Sequence, residues 1–116
     1  HPDCRNSALG QVKTISFKTL FHAVEQGDVV ARDCLDHCLQ CWGAGVVNLI
    51  HAYDPDVVVL GGGVLAQADR ILPSIQAYVE KHAWTAWGTP RIQAATQPDF
   101  AALIGAAHAV QTRKYP

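Results

Sequence analysis

The segment that most constrains the fold is Asp56-Val57-Val58-Val59-Leu60-Gly61-Gly62-Gly63-Val64, where four apolar residues run directly into three glycines. An uninterrupted β-branched run predicts a strand covered on both faces, the habit of parallel sheets layered between helices. Glycines at the exit of such a strand let main chain approach a ligand where any Cβ would collide. In open α/β sheets, ligands sit beyond the carboxyl ends of the strands. The segment therefore predicts a nucleotide- or phosphate-facing turn, with a plain tight connection as the alternative role. It is neither G-x-G-x-x-G nor G-x-x-x-x-G-K-[ST], and no lysine follows the glycines to meet a phosphate. Such a turn suits a sugar or base better than it grips a triphosphate.

A chain of 116 residues has room for one small domain. With 49% hydrophobic and 16% charged residues, it reads as globular rather than disordered. Nine basic and ten acidic residues are well mixed, so no basic stripe marks a nucleic-acid face. No apolar run approaches the roughly 18 residues of a membrane span. The sequence starts at His1-Pro2-Asp3, holds no methionine, and lacks the charged-then-apolar layout of a signal peptide. These features predict a piece of a longer, cytoplasmic protein.

Of the four cysteines, Cys34, Cys38 and Cys41 recur at helical spacing, while Cys4 stands apart. One helical row of this kind rarely encloses a metal, and no second C-x-x-C pair completes a site. They are expected to be small core hydrophobes in a reducing compartment. The histidines (His1, His22, His37, His51, His82 and His108) show no ligand spacing such as H-E-x-x-H, and surface or half-buried positions are expected for them. The carboxylates are scattered, and no acid, base or nucleophile stands out.

Residues 1–15 show no period and predict a lead-in segment. Ser16 stands as an N-cap before Phe17, Leu20, Phe21 and Val24, and Gly27 closes that helix. Asp28 caps a long second helix over 29–53, with Ala31, Cys34, Leu35, Cys38, Trp42, Gly45, Val46, Leu49, Ile50 and Tyr53 along its apolar row. Gly43 and Gly45 weaken that helix by about 1 kcal/mol each relative to alanine. Their presence predicts another backbone packed closely there. Asp54-Pro55 ends the helix. After the strand at 56–60, a third helix is expected over 64–82, with Pro73 either kinking it or marking its first turn. Trp84 and Trp87 read as a core or interface plug. A short strand over 91–95 and an alanine-rich helix over 99–112, with Gly105 allowing close packing, complete the order. Helix–helix–strand–helix–strand–helix implies parallel strands, and two strands suggest part of a larger α/β domain.

These residues resemble a known family. Glu25-Gln26-Gly27-Asp28, Trp42-Gly43-Ala44-Gly45-Val46-Val47-Asn48-Leu49-Ile50, Asp54 through Gly63, and Asp99-Phe100-Ala101-Ala102-Leu103-Ile104-Gly105-Ala106-Ala107 are similar, in this order, to the carboxyl-terminal half of ROK proteins (repressors, open reading frames and kinases). The resemblance covers residues 15 to 110. It implies an actin/hexokinase-like (ribonuclease H-like) α/β fold, of which residues 16–116 would be the nucleotide-binding part. It also implies ATP and Mg2+ as cofactors and a sugar as the phosphoryl acceptor. Gly61, Gly62 and Gly63 would be the cofactor-binding residues, their backbone packing against the nucleoside. Homo-oligomers, dimers or tetramers, are the family's habit, and the 29–53 helix could lie at such an interface. The family's Asp-x-Gly-x-Thr phosphate loop, its catalytic aspartate in Glu-Asn-Asp and its zinc motif have no counterpart here. The resemblance thus implies no catalytic residue and no metal ligand within this chain. A repressor's effector-sensing body is the alternative. The intact glycine triplet favours a sugar kinase, because repressors need no ATP.

Overall fold

The computed structural model describes residues 6–86, 88–97 and 99–112. Helix α1 spans Phe17–Glu25, α2 Val29–Tyr53, α3 Ala68–His82 and α4 Ala101–Thr112, with strands β1 at Val57–Leu60 and β2 at Arg91–Ala94. Trp87 and Pro98 lie outside the described residues.

Local chemistry sets the first boundaries. Ser16 Oγ accepts from the Thr19 N–H at 3.2 Å, and Thr19 Oγ1 accepts from the Ser16 N–H at 2.9 Å. This capping box uses threonine at its third position and satisfies two amides that the first helical turn would otherwise leave bare. Gly27, at φ +83°, ends α1 in a conformation that side chains resist. Asp28 then caps α2 by accepting from Ala31 N–H at 3.1 Å. At the far end Asp54 takes the left-handed region, φ 44°, and its N–H returns to the Ile50 carbonyl at 2.8 Å. Aspartate is one of the few residues that enter this region readily.

The lead-in is more ordered than its lack of period suggests. Residues Ala8–Gln11 form a 3-10 turn, Leu9 joins the core, and Ser7 is only 4% exposed. The Asp28 carboxylate accepts from Ser7 Oγ at 2.8 Å and from Ala8 N–H at 2.6 Å through one oxygen, while its other oxygen caps α2. The anchor lies some twenty residues downstream, so no local pattern announces it.

The core forms where α2 and α3 pack on each other and on one face of the sheet. Ile50, Ile71, Ile75 and Val79 are its most enclosed side chains. The buried face of α2 is rotated from the expected row: Val30, Gly43 and Val47 are inside, whereas Cys34, Gly45, Leu49 and Tyr53 are exposed. Only Gly43 meets the expected close approach, and its neighbour is the Tyr78 side chain of α3. A Cβ at Gly43 would lie 2.6 Å from Tyr78 Cγ, while one at Gly45 would meet nothing within 4 Å.

Strands β1 and β2 pair in parallel, Val57 beside Arg91 through Leu60 beside Ala94. The Ala95 N–H still donates to the Leu60 carbonyl at 2.7 Å, one residue past the strand. The expectation of a strand covered on both faces is corrected: Val58 is buried, but Val59 on the opposite face is 55% exposed. α4 accounts for the difference. It stands off this face across a hollow of about 560 Å³, buries none of its residues, and leaves the space beside Gly105 empty. The chain from Gly63 to Gln67 is a 3-10 turn, so α3 starts at Ala68 and Pro73 falls inside it, past the first turn.

Candidate functional site

The glycine turn follows from the end of β1. Leu60 closes the strand, and Gly62 adopts φ +108° and ψ 158°, a region essentially closed to residues with a side chain. The Gly62 carbonyl accepts from Leu65 N–H at 3.0 Å, which starts the 3-10 turn and drives Leu65 into the core. One anchored side chain thereby sets the path of bare main chain. Gly61 and Gly63 are exposed, and nothing stands within 4 Å of the position a Cβ on Gly62 would take.

Two hollows flank the turn. One, of about 500 Å³, opens between α1 and the 3-10 turn, with Phe17, Lys18, Phe21 and His22 on one side and Gly63 and Gln67 on the other. Glu25 also lines it, and its Oε1 pairs with Arg70 Nη2 at 2.9 Å, tying α1 to α3. Phe17 is fixed from behind by Trp42, ring centres 5.2 Å apart in a tilted pair. The other hollow, of about 360 Å³, is mostly apolar and lies between α2 and the turn, bordered by Trp42, Gly45, Leu49, Gly61 and Val64.

The exposed Gly61 and Gly63, with the half-buried Gly62 between them, thus form one ridge with a hollow on either side, Gly63 bordering the first and Gly61 the second. The sequence pointed to no partner for them, yet the fold brings Lys18 and Gln67 into the first hollow and Asp99 to the turn itself. Asp99 Oδ1 would lie 3.5 Å from a Cβ placed on Gly63. Lys18 brings a positive charge to the lining of that hollow, from α1 rather than from the chain directly after the glycines. No local signal marks these side chains, since they converge from three separate elements.

The remaining candidates disperse. His22, His37, His51, His82 and His108 are all exposed, as expected. His51 Nε2 accepts from the Trp84 N–H at 3.0 Å, holding the connection after α3 against the end of α2. The Trp84 ring is 83% exposed and plugs no core in this chain. The cysteines of α2 are not core hydrophobes either: Cys34 and Cys41 are exposed and Cys38 half-buried, because α2 turns Val30 and Val47 inward instead, while Cys4 and His1 lie outside the described residues. Burial, with Cys34 and Cys41 adding to it, pushes the Cys38 thiol above its ordinary range.

A nucleoside fits this ridge, because the cradle has no Cβ and an aromatic-walled hollow beside it. Among the described residues no group of three or more His, Cys, Asp or Glu is placed to hold a metal on protein ligands alone, an arrangement that a magnesium carried largely by nucleotide phosphates does not need. No described helix is long and apolar enough to cross a membrane.

The structure is thus an α/β unit whose glycine turn leaves a parallel strand beside two open hollows. The chain belongs to the ROK family, whose model matches residues 4–113. It is 26% identical over 105 residues to a glucokinase of Thermotoga maritima, covering 90% of this chain and 33% of that protein. Over 83 residues it is 32% identical to an N-acetyl-D-glucosamine kinase of Citrobacter koseri, covering 72% and 27% respectively. A crystal structure assigned as a sugar kinase of Cytophaga hutchinsonii superposes with a TM-score of 0.72 at 26% identity, over 90% of this chain and 35% of that one. The fold is therefore part of the actin-like α/β architecture that the resemblance implied. The chain spans about a third or less of the length of the curated relatives it matches.

Proposed function

We propose that this chain is the ATP-binding portion of a ROK-family sugar kinase, a protein that transfers a phosphoryl group from ATP to a hexose hydroxyl. Gly61, Gly62 and Gly63 present main chain to the nucleoside, and the walls of the adjoining hollows receive the rest of it. One observation carries the reading: Gly62 holds a glycine-only conformation at an exposed strand exit with open space where a side chain would be. Sugar kinases among the relatives support the reaction class.

ATP with its magnesium would supply the phosphoryl group and the charge neutralisation that such transfers need. This chain's residues do simpler work. Gly62 admits the ligand, Phe17 and Phe21 exclude water along one wall, and Lys18 places a positive charge at the rim of that hollow. Asp99, beside Gly63, offers a carboxylate to ribose hydroxyls. None of these residues stands as a base for the sugar hydroxyl, and no step of transfer is assigned to them.

The test is titration of a non-hydrolysable ATP analogue into the chain and into its Gly62→Val variant. Loss of about tenfold or more in affinity, equivalent to 1.4 kcal/mol or more, is expected. Gly27→Ala is the control, because Gly27 also holds a positive φ but lies at the α1–α2 junction. Unchanged affinity in Gly62→Val, or an equal loss in both variants, removes the nucleotide role of the turn.

A further inference from the structure

The three thiols of α2 take no part in the nucleotide reading, and their exposure calls for a separate account. Cys41 Sγ lies 3.7 Å from His37 Nε2, one turn back on the same exposed face. Cys38 sits one residue after His37, again one turn from Cys41, and Cys34, Cys38 and Cys41 are all free. We propose that Cys41 is a hydroperoxide-reactive modification site, with His37 taking its proton and Cys38 resolving the product as a disulfide within one turn of α2.

The chemistry balances in two steps. The Cys41 sulfur attacks the distal oxygen of a hydroperoxide, the O–O bond breaks, and the thiol proton passes by way of His37 to the leaving oxygen. With hydrogen peroxide this leaves a sulfenic acid on Cys41 and one water. The Cys38 sulfur then attacks the Cys41 sulfur, the S–O bond breaks, and a second water leaves with the Cys38 proton. Sulfur loses two electrons overall and the peroxide gains them.

Helical geometry permits this at the cost of a local distortion. Residues three apart on an ideal α-helix have Cα atoms about 5 Å apart, within the range of disulfides. Their Cβ atoms lie about 5–6 Å apart, whereas a disulfide needs about 3.5–4.5 Å, so the turn must tighten by an ångström or more. Gly43 and Gly45 follow within the next turn, and glycines weaken the helix that must yield there. The half-buried Cys38, its thiol pushed up by burial and by its neighbours, is less open to the oxidant than the exposed Cys41, which has the His37 imidazole beside it. Cys41 and Trp42 also border the apolar hollow beside Gly61. If the nucleotide reading holds, oxidation would therefore displace a wall of that site, and this clause alone rests on it.

The experiment treats the reduced chain with hydrogen peroxide and follows intact mass and fragment maps, with dimedone as the trap for sulfenic acid. Wild type is expected to lose two hydrogens as an intramolecular Cys38–Cys41 disulfide, and so is Cys34→Ser. Cys38→Ser should instead carry dimedone on Cys41. His37→Gln should slow labelling of Cys41 in the Cys38→Ser background by about a hundredfold, the low end of the effect of a positioned base on such steps. The proposal is overturned if Cys41→Ser still closes an intramolecular disulfide, if Cys34 labels as fast as Cys41, or if His37→Gln leaves the rate unchanged. None of these readouts uses a nucleotide, so they stand or fall separately from the analogue titration.

Discussion

Replacing Gly43 by alanine adds one methyl group where α2 crosses α3, and the structure leaves that methyl no room. It would sit 2.6, 2.7 and 2.9 Å from Tyr78 Cγ, Cδ1 and Cβ, against the roughly 3.5–4.0 Å at which carbon atoms attract. These are the near atoms of the tyrosine, fixed to the backbone of α3, so relief requires moving the helix or turning the ring off its rotamer. Overpacking of this kind costs about 1–3 kcal/mol. Against it stands the gain of about 1 kcal/mol when alanine replaces glycine inside a helix. The net for Gly43→Ala runs from near zero to about 2 kcal/mol of destabilisation. Two residues on, Gly45→Ala keeps the helical gain and meets nothing within 4 Å, so it should stabilise by up to about 1 kcal/mol. Urea unfolding followed by circular dichroism checks both, with the midpoint falling for Gly43→Ala, rising for Gly45→Ala, and the slope unchanged. Tyr78→Ala in a double-mutant cycle with Gly43→Ala should show coupling that Gly45→Ala lacks. Equal midpoint shifts for the two alanines, or no coupling to Tyr78, would refute the packing argument.

Gly62→Ala should destabilise by about 1–3 kcal/mol from backbone strain alone, while Gly63→Ala, whose Cβ meets only Asp99 Oδ1 at an ordinary 3.5 Å, should be tolerated in the same unfolding assay. Ser16→Ala removes one half of the capping box and should cost about 1 kcal/mol, read as a lower thermal midpoint. The amide of Ala31, then Ser7, holds the Asp28 carboxyl below its ordinary 3.8. A depressed folded value means that the stabilisation is present above the unfolded value and is lost as pH falls through the folded one. Asp28→Asn, which keeps an acceptor for Ala31 but turns an amide toward Ser7 and Ala8, should unfold more easily at pH 7 and show a flatter loss of stability below about pH 4; an unchanged acid profile would contradict this.

Short-range signals carried most of the secondary structure. Ser16 marks the start of α1, Gly27-Asp28 divides α1 from α2, and Asp54-Pro55 ends α2 where expected. The valine run predicted a parallel strand, and the parallel pairing with β2 is present. Each of these depends on interactions within about one helical turn or one strand, which neighbouring residue types decide alone. The order of motifs likewise placed the chain in its family.

Tertiary structure decided which faces are inside. Helical periodicity offers several overlapping stripes on a helix as apolar as α2, and the position of Tyr78 and Ile75 on α3 selects the one containing Gly43 and Val47. That choice leaves Cys34 and Cys41 facing outward. It also decided that Ser7 would dock on Asp28, and that Lys18, Gln67 and Asp99 would gather round the glycine ridge. Apart from Gln67, these residues lie more than twenty positions from their neighbours in space, and the energies of such contacts depend on distances that only the folded backbone sets.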